Sequence, residues 1–237
     1  MRKVNNHRLG TRGGMLIFAA VVGMSLLPAV VEASAINYVF RHDSQYSAAV
    51  SQQGAYSDPG NNTWNFISET SGAATSSNKY SDGTISPVTL MVTYEGYTGA
   101  GGYTAGTDLY LQSWAAYVNG NRSGTITLAS VPQGTYDLYL YGSNYDRDRG
   151  TAFTFGGASD FTANSNTANT FTLGVNYVIL HNVTPVSGTI SGTYTAALNH
   201  GAEGDFNAVQ LVSVPEPASL SLLGLLALPF LHRRRQA

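Results

Sequence analysis

Thr135-Tyr136-Asp137-Leu138-Tyr139-Leu140-Tyr141-Gly142 is the stretch on which the reading of this chain turns. Side chains alternate across a strand, so Tyr136, Leu138 and Leu140 fall on one face and Asp137, Tyr139 and Tyr141 on the other. Both faces carry bulky groups. That pattern predicts an inner strand of a sandwich, with its tyrosine face either under a loop or open to a ligand. Val131-Pro132-Gln133-Gly134, just ahead of it, reads as a turn, and residues 124–128 as the strand before that turn.

Working outward, short apolar runs recur between Gly- and Asn-rich turns, and no stretch keeps a 3.6-residue apolar period. Residues 88–94 alternate cleanly, with Val88, Leu90, Val92 and Tyr94 opposite Thr89, Met91 and Thr93. Residues 36–41, 151–155, 170–173, 176–183, 188–195 and 206–213 complete a set of about nine strands. The fold class this predicts is all-β, a two-sheet antiparallel sandwich of jelly-roll type. Between 44 and 80 the pattern loosens around the turn cluster Asp58-Pro59-Gly60-Asn61-Asn62, and most of it reads as loop. Residues 96–106 are glycine-rich and read as a mobile surface loop, and 108–118 as a strand or short helix around Trp114. From Trp64 through 136–142, 176–182, 187–193 and 206–212 the chain resembles galactose-binding-like β-sandwich modules. That resemblance implies a carbohydrate-binding type of fold and names no activity.

The two ends read as addresses. Arg2, Lys3, Arg8 and Arg12 precede an apolar run from Met15 to Val31, followed by Ala33-Ser34-Ala35. This is the three-part pattern of a secretory signal peptide, here residues 1–35, with cleavage expected after Ala35. At the other end Val214-Pro215-Glu216-Pro217 leads into an apolar stretch, 218–231, and then His232 and Arg233-Arg234-Arg235. A helix of that length spans roughly 21 Å, short of the ~30 Å hydrocarbon core, so it predicts a transient stop in the membrane. The arginines would hold the cytoplasmic side and place the body outside. This order resembles the PEP-CTERM sorting signal of exported bacterial proteins, covering residues 214–237. The resemblance implies an exosortase-type transpeptidase as partner, processing near Pro215-Glu216-Pro217, and delivery to the cell surface or extracellular matrix.

The remaining body, 36–213, holds five basic residues, Arg41, Lys79, Arg122, Arg147 and Arg149, against twelve acidic ones, a net −7. No basic patch is left to hold a phosphate backbone, which argues against nucleic-acid binding. The chain has no cysteine, so neither disulfides nor thiolate metal sites contribute. His42, His181 and His200 lie far apart in sequence, without metal-ligand spacing.

A sugar site needs flat aromatic faces for the C–H side of a ring and polar side chains for its hydroxyls. Trp64, Trp114, Tyr139, Tyr141 and Tyr145 are the aromatic candidates, and Asn144, Asp146 and Arg147 the polar ones in the loop that follows the best strand. If the body has a ligand site it is expected there, with extracellular polysaccharide as the ligand class. The alternative reading packs the tyrosines between sheets and pairs the loop charges across a solvated turn. Asp146 and Asp148 could join backbone carbonyls around calcium, but the interleaved arginines oppose it and no full calcium loop is present, so no cofactor is expected. Glu203 and Asp205 beside His200 are the densest titratable group, and they carry the alternative of a secreted glycan-active enzyme. A glycine-rich turn with solubilising charge explains them more simply, and a non-enzymatic body is expected.

Overall fold

Short runs of Val, Ile, Leu, Thr, Tyr and Phe, which suit a pleated, half-buried surface, give fourteen strands among the described residues. The computed structural model describes residues 35–40, 50–51 (backbone), 54–57, 63–67, 69–99, 111–144, 149–163 and 170–215. In chain order the strands are β1 (Ala35–Phe40), β2 (Val50–Ser51), β3 (Thr63–Ile67), β4 (Thr89–Thr93), β5 (Gly96–Gly99), β6 (Trp114–Asn119) and β7 (Gly124–Ala129). There follow β8 (Tyr136–Tyr141), β9 (Thr151–Phe155), β10 (Ala158–Phe161), β11 (Tyr177–Val183), β12 (Ile190–Ala196), β13 (Glu203–Phe206) and β14 (Ala208–Ser213).

A six-stranded sheet runs β11-β8-β14-β1-β3-β2, and a five-stranded sheet runs β10-β9-β12-β7-β4. Among the described residues every strand pairing is antiparallel except β1 with β3, where Asn37 lies opposite Trp64. The expected all-β sandwich is what the chain forms. Its core is built from the inward faces: Ile36, Tyr38 and Phe40 of β1, Leu138 and Leu140 of β8, Leu90 and Val92 of β4, Ile126 and Leu128 of β7, and Phe153 and Phe155 of β9. A third sheet, β13-β6-β5, adds Ala116, Val118 and Phe206 to that core.

Several elements differ from expectation, each for a local reason. Residues 63–67 form a strand instead of loop, because Asn65 is buried where an apolar residue would have marked the pattern. Its side chain donates to Asn37 O and Lys79 O and accepts from Lys79 N. Residues 96–99 pair with β6 because their glycines leave room for aromatic neighbours: a Cβ on Gly99 would lie 2.2 Å from the Trp114 ring, and one on Gly96 2.6 Å from the Tyr117 hydroxyl. The expected strand 206–213 is two strands, since Phe206 pairs with β6 and Ala208 with β8 and β1. Asn207 between them holds the break, its side chain donating to Trp114 O and accepting from Ser143 N. Residues 170–173 form no strand but the approach to a turn, where Asn176 donates to Thr170 O and accepts from Thr172 N. β10 was not anticipated. Within 108–118 the described part holds both expected elements, helical at residues 111–112 and strand from Trp114.

β1 already includes Ala35, which is buried and paired with Val212. Residues 1–34 and 216–237 lie outside the described residues, and with them the expected signal peptide up to Ser34, Glu216, Pro217, Arg233, Arg234, Arg235 and the stretch expected to form a C-terminal hydrophobic helix. Among the described residues no helix is long and apolar enough to cross a membrane. Val214 leaves the sandwich with its N–H bonded to Thr135 O, and Pro215 is exposed.

Candidate functional site

The alternation in β8 decides what covers each side of the six-stranded sheet. Tyr136, Leu138 and Leu140 enter the inter-sheet core, and Tyr139 and Tyr141 point to the outer side. There they join Val39 of β1, Trp64 and Phe66 of β3, Ala208 of β14 and Tyr177 of β11, with Ala55, Leu111 and Phe171 packed against them. The outer face is therefore a second aromatic layer.

Part of this layer is closed. Tyr141 and Trp64 have 0% exposure. The Tyr141 hydroxyl donates to Gln210 Oε1 and accepts from Ala55 N at 2.6 Å. Gln210 in turn donates through Nε2 to Asn37 Oδ1 and Tyr56 O, each at 3.1 Å, and accepts from Tyr56 N. These bonds hold residues 54–56 down on the sheet. Gly54 is required there, since a Cβ would lie 2.3 Å from Gln210 Oε1. Gly54→Ala is expected to lift the segment and cost about 1–3 kcal/mol as an overpacked contact, read as a lowered urea midpoint at unchanged slope.

The other part is open. Tyr139, Tyr177, Tyr56 and Phe171 are half-buried, and Ile179 lies in the same face of β11 opposite Tyr139. The Tyr139 and Tyr177 rings are near-parallel, 15° apart with centroids at 6.3 Å, and Tyr56 stands 5.7 Å from Tyr139. Further along the strip Asp137 Oδ2 is 2.9 Å from His181 Nδ1, and Asp137 Oδ1 accepts from Asn182 N. Burial raises the Tyr139 phenol above its ordinary pKa, with Asp137, Tyr177 and Tyr56 adding to the shift, so it stays a neutral donor and acceptor. An aromatic strip bordered by an acid and a histidine can stack a sugar ring and bond its hydroxyls.

The candidate residues named from sequence are distributed rather than gathered. Tyr139 is on the open strip. Tyr141 is on the same face but enclosed, so its ring and hydroxyl hold the fold together. Trp114 belongs to β6, its ring over Gly99 and against the inter-sheet core, and its backbone oxygen accepts from Asn207. Asn144 is buried just past β8. Tyr145, Asp146 and Arg147 lie outside the described residues. Tyr177, Tyr56 and Phe171 were missed. Register supplies the signal for Tyr177, because a strand over 176–183 paired antiparallel with β8 brings its tyrosine beside Tyr141.

Beyond Tyr141 the chain enters a buried polar cluster. Gln112 Oε1 accepts from Ser143 Oγ at 3.1 Å, Asn144 Nδ2 donates to Asp205 Oδ2 at 2.9 Å, and Arg149 is ion-paired with Glu203 Oε2. Asp205 has 0% exposure and Arg149 6%. Arg149 and Asp205 are thus inside the protein and Glu203 is half-buried beside them, instead of all three lying on a solvated turn. Strand parity puts Glu203 and Asp205 on one side of β13, facing Arg149. The His200 ring stacks on Phe161, 6.0 Å away at 28°. Among the described residues no three His, Asp or Glu gather as a metal site.

A cleft of about 90 Å³ opens at the other end of β8, lined by Ile36, Tyr80, Val88, Pro132, Tyr136 and Leu211. It is well below the ~300 Å³ at which ligand pockets begin.

No protein-family model and no curated protein matches the chain. Among solved structures it is similar to TmCBM61, solved with β-1,4-galactotriose, at 15% identity and a TM-score of 0.30, over 54% of this chain and 90% of that one. A CBM36-1 domain of a multidomain xylanase from the hindgut metagenome of Trinervitermes trinervoides aligns at 14% identity and 0.32, over 54% and 99%. The insecticidal crystal protein Cry2Aa aligns at 17% identity and 0.34, over 56% and 23%. Similarity this low says nothing of what the present chain binds.

Proposed function

We propose that this protein is an exported, non-enzymatic β-sandwich that binds extracellular polysaccharide through the outer face of β8 and β11. The observation that carries the reading is the half-buried, near-parallel pair Tyr139 and Tyr177 with Tyr56 beside it. A sugar ring laid on these faces keeps its C–H side on carbon and its hydroxyls toward Asp137, His181 and water. Leaving such hydroxyls unpaired would cost ~1–3 kcal/mol each. Tyr145, Asp146 and Arg147, between Asn144 and Arg149 in sequence, are proposed as further polar partners.

The enzyme reading is weaker on chemical grounds. Glycoside hydrolysis by two carboxylates needs both to reach the scissile bond, and here Asp205 is enclosed and Glu203 is ion-paired to Arg149. Retention of the full-length protein on a panel of insoluble neutral and acidic polysaccharides tests the binding reading. Retention on at least one glycan, without release of reducing ends, is expected. Reducing-end release that disappears in Glu203→Gln would replace it with the enzyme.

Delivery rests on the ends of the chain. Pro215, Glu216 and Pro217 are proposed as the processing motif for an exosortase-type partner, with 218–231 crossing the membrane transiently and the body reaching the cell surface or matrix. Replacing the three by Ala is expected to leave the protein in the inner-membrane fraction of its native host. Unchanged surface delivery would remove the sorting proposal without touching the glycan one.

A further inference from the structure

β11 breaks its register where it passes Asp137. Leu180 lies opposite Leu138 and Val183 opposite Tyr136, so His181 and Asn182 together face the one residue Asp137, which is a β-bulge. Asn182 takes a left-handed backbone, φ 60°, which asparagine adopts more readily than most side chains. The bulge changes what faces outward. Tyr177 and Ile179 lie on the outer side, and unbroken alternation would put Val183 there too and turn Asn182 into the core. Instead Val183 packs against the inter-sheet core, and His181 and Asn182 are both exposed.

Asp137 of β8 holds the bulge from the neighbouring strand. Its Oδ1 accepts from Asn182 N at 3.2 Å, and its Oδ2 lies 2.9 Å from His181 Nδ1. A carboxylate only accepts, so Nδ1 carries the hydrogen and the neutral ring keeps Nε2 as an acceptor. The Asp137 side chain is 22% exposed and that of His181 62%. The acid is thus the sheltered partner, and the imidazole is the one offered to solvent.

We propose, on the glycan reading of the β8 and β11 face made above, that His181 Nε2 and the Asn182 amide read the hydroxyls of a neutral glycan stacked on Tyr139, and that Asp137 is the positioning residue that aims both. Asp137 is two residues from Tyr139 on the same face, ~7 Å along the strand, about the width of one sugar ring. A ring stacked on Tyr139 brings its edge within reach of the bulge. An acceptor nitrogen beside an amide, which both donates and accepts, suits two neighbouring hydroxyls, each of which does both as well. Neutrality follows from charge. The bulge is held by an acid and the body carries a net −7, so a polyuronate meets repulsion both at the contact and at long range.

Affinity of the full-length protein for galactan, xylan, mannan and laminarin, with polygalacturonate beside them, tests this at about pH 8. Binding to at least one neutral glycan and none to polygalacturonate is expected. His181→Ala and Asn182→Gly should each weaken it about tenfold, the loss of one well-made hydrogen bond. Asn182→Gly keeps the left-handed backbone and removes only the amide, and His181 is exposed, so both variants should unfold in urea close to the parent. Asp137→Asn should weaken binding alike, and it has a signature that needs no ligand. Imidazole nitrogen resonances of the parent should place the hydrogen of the neutral His181 ring on Nδ1, and that preference should be lost in Asp137→Asn. Affinity unchanged in His181→Ala and Asn182→Gly, yet lost in Tyr139→Ala, overturns the proposal and leaves the glycan reading standing. A hydrogen on Nε2 in the parent overturns the role of Asp137, and a preference for polygalacturonate overturns the ligand class. Retention on none of the five contradicts this proposal and the glycan reading together.

Discussion

Tyr141→Ala should destabilise the protein by about 4 kcal/mol, the middle of the range for deleting a buried aromatic ring. For a body of this size that corresponds to a fall in Tm of roughly 10 °C. The ring is fully enclosed between Trp64, Phe171 and Tyr177, at centroid distances of 6.3, 5.2 and 5.8 Å. Its hydroxyl bridges Gln210 and Ala55 N, so its loss also strands a backbone donor and releases residues 54–56. Tyr141→Phe separates the two contributions, since it keeps the ring and is expected to cost only the unpaired groups, ~1–3 kcal/mol. Equal stability of Tyr141→Phe and the parent, by calorimetry or urea titration, would mean that Gln210 alone holds the segment.

The second large effect is on binding. Removing an aromatic anchor at the centre of a contact costs about 2 kcal/mol, roughly thirtyfold in Kd, and Tyr139→Ala is expected to weaken polysaccharide retention by that much. Tyr177→Ala should act alike, and the double variant should fall below detection. Neither ring is enclosed as Tyr141 is, so a modest loss of stability should accompany a large loss of affinity. Trp114→Ala is the contrasting case: its ring packs on Gly99 and the inter-sheet core, so it should lower stability and leave the affinity of the folded fraction near that of the parent.

How far the sequence foretold these roles depends on what each residue contacts. The alternation in β8 was legible because its apolar and tyrosine positions differ by one residue throughout, and it correctly assigned Tyr139 and Tyr141 to a shared face. Alternation cannot tell an open ring from a covered one. What separates them is Gln210, a polar residue two strand positions beyond Ala208 that clamps a segment about 154 residues away. The strand at 63–67 was hidden by its buried Asn65, and the one at 96–99 by glycines that make room for the aromatic rings of its partner strand. Glu203, Asp205 and Arg149 looked like solvated turn charges because composition carries no burial. Read as a strand, 203–206 would have put both carboxyls on one side and raised the question of what cation met them.

The measurement that tests the central claim most directly is a titration of the isotope-labelled full-length protein with soluble oligosaccharides from whichever polysaccharide retains it, followed by aromatic ring resonances. Shifts concentrated at Tyr139, Tyr177 and Tyr56, saturating at one Kd and lost in Tyr139→Ala, are the predicted result. Saturating shifts that leave these three rings unmoved, or affinity unchanged in the Tyr139→Ala and Tyr177→Ala double variant, would contradict the assignment of the β8 and β11 face as the binding surface.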